Sequence, residues 1–496
     1  MDEKNGLPER PARLAGNAVI WQAVQMGGVK AISLLRILVL ARLLTPVDFG
    51  LVAIGTTAMG FLLNVTNFGM IPALVQGEEM DEAQYDAAWT IGIVRSLLIA
   101  AVMIAAAPLI ASIFAEPRAV TFIRILALHP VLEALSSIKL ARLNRNLLFR
   151  PLSFLHLADG FVDGVVSIAV AMVFGIWGLV AGMLAGVATT AIGSYILAPH
   201  RPRLFLEREA IRPLIRFGRW IFITSLIVMV GSYVLRIVIS RQLGAAELGL
   251  YYLATQLAFL PAEVAGQVVG NVAFPLYARL QNDIAQATRV FRAIYTSLAA
   301  LLFPICALII VLAPSLTREI LGPNWAGTEP VIQILALATM IGIFGEAVAP
   351  VLKGYGQPYR ITLIELIQSG MIISLVWVLT KRFGLVGAAL SWLPAVTLSQ
   401  FLSAHFIRQI LHQPFAGLRR PMIAVLVITG ISAAIAGVAH LLIPGLVGIV
   451  VGAALAALAT GGLLWVSDRR FSLGFVRNLA WAFPQIAAFV GIPSVD

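Results

Sequence analysis

The sequence predicts an all-α, polytopic membrane protein of about 14 transmembrane helices, built as two six-helix lobes related by pseudo-two-fold symmetry with two further C-terminal helices. Composition, a series of long apolar runs and an internal repeat predict it. Of 496 residues, 60% are hydrophobic and only 12% charged, against roughly half and a quarter in soluble domains. A spanning helix takes about 20 apolar residues, so nearly the whole chain can lie in a bilayer. That excludes an ordinary soluble enzyme. The net charge of +11 comes from 35 Lys and Arg against 24 Asp and Glu. These charges occupy short gaps between apolar runs, so their neighbours are lipid headgroups or an anionic ligand, and nothing points to nucleic acid. The single cysteine, Cys306, leaves no intrachain disulfide or cysteine-based metal site.

Taken in order, the apolar runs predict spans at 18–40, 50–74, 88–113, 120–140, 154–174, 178–198, 218–240, 249–273, 291–313, 328–352, 362–380, 384–407, 421–442 and 446–466. The first is too long for a signal-peptide core and carries Lys30, so it reads as a retained helix. Interior prolines (Pro72, Pro130, Pro261, Pro304, Pro350, Pro394) bend a span and free a carbonyl. Gly178, Gly182 and Gly186 in the sixth run have the spacing that lets helices approach closely. Both features read as structural.

Basic residues are retained on the cytoplasmic side. With the N-terminus inside, cytoplasmic connections hold 24 of the 35 basic residues and the opposite connections only 6. Both termini are therefore expected in the cytoplasm. Glu78, Glu79, Asp81, Glu82 and Asp86 make one cytoplasmic connection acidic, but acidic residues weigh little in this rule. The expected organisation is an N-terminal lobe at 1–198, a basic cytoplasmic linker at 199–217, a C-terminal lobe at 218–410, and the last two spans with an interfacial tail at 411–496. The linker, from Arg201 to Arg219, is expected to anchor to anionic headgroups or to collect substrate.

Self-similarity recurs at about 200 residues. Arg42-Leu-Leu-Thr-Pro-Val-Asp48-Phe-Gly50-Leu51 aligns with Arg241-Gln-Leu-Gly-Ala-Ala-Glu247-Leu-Gly249-Leu250, an offset of 199. Ala107-Pro108 matches Ala313-Pro314, Gly178-Leu-Val matches Gly384-Leu-Val, Ile125 to Leu128 matches Ile334 to Leu337, and Arg150 matches Arg360. Six spans precede each equivalent point, so the repeat is parallel, with its axis along the membrane normal. Such repeats place a substrate cavity between lobes that rock against each other. Arg42 with Asp48 and Arg241 with Glu247 read as turn-stabilising residues.

Arg42-Leu-Leu-Thr-Pro-Val-Asp-Phe-Gly-Leu-Val52, Phe274-Pro-Leu-Tyr-Ala-Arg-Leu-Gln281 and Ile320-Leu-Gly-Pro-Asn-Trp325 resemble the bacterial polysaccharide-exporter (Wzx-type) flippases. Their superfamily also holds the lipid II flippase and the multidrug and toxin extruders. The likeness covers roughly residues 15–410. It implies movement of an undecaprenyl-pyrophosphate-linked oligosaccharide across the bacterial inner membrane by alternating access, for surface polysaccharide synthesis. It also implies membrane lipids, a polysaccharide polymerase and a chain-length regulator as partners, no cofactor, and the last two helices, over 421–466, as guides for the polyprenyl tail.

An ionised side chain at mid-bilayer costs at least about 2.5 kcal/mol, which makes each a functional candidate. The basic set is Lys30, Arg36, Arg95, Arg124 and Arg236. Guanidinium groups bind phosphate oxygens bidentately and offset lost hydration. Arg36 and Arg236, one residue out of register on the 199 offset, with Lys30 and Arg95, are therefore the expected pyrophosphate-handling residues. Arg36 and Arg236 also lie close enough to span ends to snorkel, and Arg124 is expected at the interface. The acidic set is Glu133, Asp159, Asp163, Glu263, Glu346 and Glu365. His156, Asp159 and Asp163 share one helix face. They suit a coupling proton or cation, or salt bridges to Arg142, Arg145 or Arg150. Glu263 and Glu346 suit coupling, hydrogen bonds to sugar hydroxyls, or pairing with the basic set.

No lysine follows a glycine, so there is no Walker A loop. The six histidines form no His-Glu-x-x-His pattern, and no Gly-x-Ser-x-Gly elbow occurs. The rival readings are a multidrug antiporter, whose cavity would favour acidic or aromatic lining, a membrane-embedded polymerase, which would need a large extramembrane catalytic loop, and a non-transporting scaffold.

Overall fold

A computed structural model of the chain describes residues 9–66, 82–146, 148–203 and 229–471. Pro72, the acidic residues 78–81, the linker from Arg208 to Arg219 and the expected interfacial tail lie outside the described residues. Among the described residues all regular structure is helical, and ten helices are long and apolar enough to cross a membrane. The chain divides into two compact units, Met1–Leu226 and Ile227–Asp496.

Unit one holds α1 (Glu9–Leu43), α2 (Pro46–Val65), α3 (Glu82–Ile113), α4 (Ala119–Leu126), α5 (Leu128–Ala134), α6 (Leu140–Arg145), α7 (Phe149–Phe174) and α8 (Trp177–Leu197). The motif beginning at Arg42 folds as a helix start. Thr45 caps α2, Pro46 occupies its first position, and Asp48 accepts from the Thr45 amide at 2.8 Å, a capping box. The turn-stabilising reading of Asp48 is met through Thr45. The expected fourth span, 120–140, is instead two short helices, α4 and α5, with the stretch from Leu135 leading on to α6. Pro130 has no N–H for the Leu126 carbonyl and its ring crowds that oxygen, so α4 stops there. Between α3 and α4, Glu116 accepts from Arg118 Nε at 2.7 Å and Nη2 at 2.9 Å. This bidentate pair holds the Glu116 carboxyl below the ordinary glutamate value. In the packing, α7 lies against α1 and α8, α2 against α4, and α5 against α3 and α8.

Unit two holds α9 (residues 229–243), α10 (Ala245–Ala258), α11 (Leu260–Arg279), α12 (Ile284–Ser315), α13 (Thr328–Gly354), α14 (Pro358–Leu390), α15 (Trp392–Ile410), α16 (Arg419–Leu442) and α17 (Leu446–Phe471). The expected eighth span, 249–273, is broken at Phe259, because Pro261 starts a new helix. Thr339 Oγ1 lies 3.0 Å from the Ala258 carbonyl at that break and 2.9 Å from its own Leu335 carbonyl. By contrast Pro304 and Pro350 lie inside single helices, α12 and α13. The central element is α13, which packs on α10, α11, α12, α14 and α15, while α16 packs on α12 and α17.

The other two motifs that carry the family resemblance also do structural work here. Tyr277 is fully buried against Gly354, where an added Cβ would come within 2.6 Å of the Tyr277 Cβ, and Gln281 donates to the Gly354 carbonyl. Trp325 is fully buried in a short 3₁₀ turn between Gly322 (φ 101°) and Gly327 (φ 92°).

Candidate functional site

In unit one a polar seam runs where α7 meets α1 and α8. Arg36 on α1 donates to Asp163 on α7, with side chains 15% and 20% exposed. Asp163 also accepts from Ser167 at 3.0 Å, and Asp159 accepts from Thr190 on α8 at 2.9 Å. The glycine row of α8 makes room for these groups. An added Cβ at Gly182 would collide with Ser167 Oγ and the Asp163 carboxylate, one at Gly186 with Asp159, and one at Gly178 with the α7 backbone. The glycines therefore pack, as their spacing predicted, and what they pack against is a row of intramembrane carboxylates.

The seam extends to α5 and α3. His129 is an electrostatic neighbour of Glu133, Asp159 and Asp163, and His156 of Asp159. Glu133 is the charged neighbour of Arg95 on α3. The structure thus brings Arg36 and Asp163 into contact and gives Arg95 a carboxylate neighbour. The two aspartates engage Arg36 and Thr190, whereas Arg150 lies over the Trp21 ring at 5.6 Å. Lys30 is half-buried and partnered, but at about 100° per residue it points about 120° away from Arg36 around α1. Arg124 is exposed on α4.

Unit two contains a cavity of about 250 Å³ among α11, α13, α14 and α15. Its wall includes Glu346, Glu365, Gln368, Gln400, Ser399 and Trp392. Gln400 donates to Ser399 at 3.0 Å and leaves its own carbonyl oxygen buried without a partner. Glycines keep this space open: a Cβ at Gly266 would lie 2.8 Å from Glu346 Oε2, and one at Gly345 3.2 Å from Gln400 Oε1. Trp392 donates to the Tyr251 hydroxyl at 2.9 Å and meets the Phe259 ring at 5.0 Å, which ties the cavity wall to the break before α11. Carboxylates, amides and a hydroxyl around one small space are able to hold a proton, a cation or sugar hydroxyls.

Of the expected acidic residues, Glu346 faces this cavity, whereas Glu263 is exposed on α11 beside the lining residue Ala262. Arg236 is half-buried on α9, partnered, and an electrostatic neighbour of Tyr251. Sequence reasoning noted Glu365 without choosing it and missed Gln368 and Gln400. The available signal was Glu365 and Gln368 three residues apart, on one face of α14. Among the described residues no group of three or more His, Cys, Asp or Glu is placed to hold a metal ion.

The chain is similar to the succinoglycan biosynthesis transport protein ExoT of Rhizobium meliloti (strain 1021), with 26% identity over 71% of each chain. It is also similar to the lipopolysaccharide biosynthesis protein WzxC of Escherichia coli (strain K12), with 21% identity over 77% of this chain and 78% of that one. Among solved structures, the lipid II flippase MurJ in an inward closed conformation matches with a TM-score of 0.70 at 12% identity, covering 91% of this chain and 99% of MurJ. That likeness carries the fold, and with the ten apolar helices it makes this a multi-pass membrane protein. By name ExoT is a transport protein and MurJ a flippase. Residues 39–330, more than half of the sequence, match a family model described as polysaccharide biosynthesis protein, and the chain belongs to that family.

Proposed function

We propose that this protein is a flippase that moves undecaprenyl-pyrophosphate-linked oligosaccharide repeat units across the bacterial inner membrane by alternating access, for surface polysaccharide synthesis. The reading includes fourteen spans in two six-helix repeats plus two C-terminal helices, both termini in the cytoplasm, and a polysaccharide polymerase and chain-length regulator as partners. The observation that carries it is the Arg36–Asp163 pair, set in a seam of charged groups inside unit one. A guanidinium kept in a low-dielectric site by an exchangeable carboxylate is ready to receive a diphosphate, because the incoming oxygens replace those of Asp163 at the same donors. Arg36, Arg236, Lys30 and Arg95 are the proposed diphosphate-handling residues. Asp159, Asp163, Glu263 and Glu346 are the proposed ion-coupling or sugar-binding residues.

A multidrug antiporter is the second reading, and the cavity holding Glu346 and Glu365 favours it, since a carboxylate-lined space suits a cation. Leaflet transfer of lipid-linked oligosaccharide in proteoliposomes, with and without an ion gradient, separates the two. Transfer that is lost in Arg36→Gln supports the flippase. Gradient-driven export of a cationic drug without lipid transfer overturns it.

A further inference from the structure

At the end of α8, unit one carries another cavity, of about 680 Å³, lined by Asp86, Lys139, Tyr195, His200, Arg201 and Arg203. Three of these side chains are cationic and one is a carboxylate, and that carboxylate is already engaged. Asp86 Oδ1 lies 2.9 Å from His200 Nε2 and accepts from the Arg203 amide at 3.2 Å. The segment bearing the two arginines is fixed at both ends. Ser137 Oγ donates to the Ala198 carbonyl at 2.7 Å at one end, and the hydrogen bond from the Arg203 amide to Asp86 holds the other. Arg201 and Arg203 are exposed and Lys139 is half-buried. The His200 side chain, 1% exposed, keeps its Nδ1 without a partner in the same wall.

Two guanidinium forks and an ammonium on a braced frame match the oxygens of a phosphate group. The surroundings indicate what carries that group. Tyr195 lines this cavity, while the adjacent Ile196, with Phe154, Leu155 and Leu197, lines an apolar groove of about 500 Å³ edged by Arg150. A charged recess and an apolar groove at neighbouring residues of one spanning helix fit a molecule with a phosphate head and a hydrocarbon tail. We propose that this cavity is a phosphate-binding site that seats the phosphate or diphosphate headgroup of a membrane lipid at the aqueous edge of unit one. It rests on its own geometry, whichever lipid is transported.

The test follows the acetylation rate of Lys139 in the full chain, held in phosphatidylcholine nanodiscs and read by mass spectrometry. Inorganic pyrophosphate is expected to slow acetylation at Lys139 and leave Lys381 unchanged. In R201Q/R203Q the half-protecting concentration should rise about tenfold, equivalent to one good charge-assisted contact, whereas R419Q/R420Q should match the unaltered chain. Nanodiscs containing phosphatidylglycerol, or undecaprenyl pyrophosphate, then identify the source as whichever lipid protects Lys139. Absence of protection by pyrophosphate in the unaltered chain overturns the site. So does unchanged protection in R201Q/R203Q. Protection by pyrophosphate but by neither lipid overturns the lipid assignment. Lys139 protection is read without lipid transfer and leaflet transfer without acetylation, so failure of this site and failure of the flippase reading are distinguishable.

Discussion

Gly175 and Gly384 share one backbone conformation, with φ, ψ of 57°, −126° and 59°, −141°. Each follows a phenylalanine, Phe174 or Phe383, and each precedes by three residues a glycine, Gly178 or Gly387, whose missing Cβ admits the backbone just before the turn, that of α7 for Gly178 and that of α14 ahead of its kink at Gly384 for Gly387. The two positions stand 209 residues apart, close to the offset of 206 at which Gly178-Leu-Val and Gly384-Leu-Val align in sequence. An L-residue is strained in this region by about 1–3 kcal/mol. Gly175→Ala and Gly384→Ala should each lower the thermal unfolding midpoint in detergent. Gly92→Ala, in open space on α3, should not.

The close approach of α7 and α8 depends on Gly182. Gly182→Ala is expected to push the helices apart and destabilise the protein by about 1–3 kcal/mol, the usual range for overpacking. At Gly160 an added Cβ would only touch Ile32 at 3.8 Å, so Gly160→Ala should behave like the unaltered chain in the same unfolding measurement.

Removing one partner of this part-buried ion pair leaves the other without its counter-charge. Arg36→Gln should therefore cost up to about 3 kcal/mol of stability, and Asp163→Asn a similar amount. The exchanged pair, Arg36→Asp with Asp163→Arg, should recover much of that stability. If Arg36 receives a diphosphate, the exchanged pair should still fail in leaflet transfer, since the cation has moved to α7. Full transfer by the exchanged pair would remove Arg36 from the transport role.

The Glu116–Arg118 pair predicts an acid-side effect. The folded protein holds the Glu116 carboxyl below its unfolded value, so the pair's contribution is complete above the unfolded pKa, about 4.3. It is lost as pH falls through the lower, folded value. Glu116→Gln should flatten this part of the pH–stability curve. At neutral pH the loss should be below about 1 kcal/mol, because Arg118 is 63% exposed.

Hydropathy made most of the helices legible, because a bilayer-length apolar run has few alternatives. It missed the breaks at Leu126 and Phe259, since the runs through Pro130 and Pro261 stay apolar while the backbone cannot continue. Those prolines interrupt the helix, yet Pro304 and Pro350 do not, and a hydropathy window does not separate the two cases. The candidate site was legible as residue types and not as pairs. Arg36 and Asp163 stand 127 positions apart, and only folding reveals that each is the other's partner. The cavity beside Glu346 needed Glu365 and Gln400 from two further helices, which no local spacing connects.

The hydroxyl of Thr339, within reach of both the Ala258 carbonyl and its own Leu335 carbonyl, sets a polar hydrogen at the interruption before α11. A free bend in hydrocarbon would act as a spring, flexing at little cost as its stray oxygen looked for a donor. Here a hydroxyl of the central helix is shared between that oxygen and the Leu335 carbonyl, so the joint of α10 and α11 touches α13. Any rearrangement during a working cycle must carry that joint as one piece or give up the Thr339 contact.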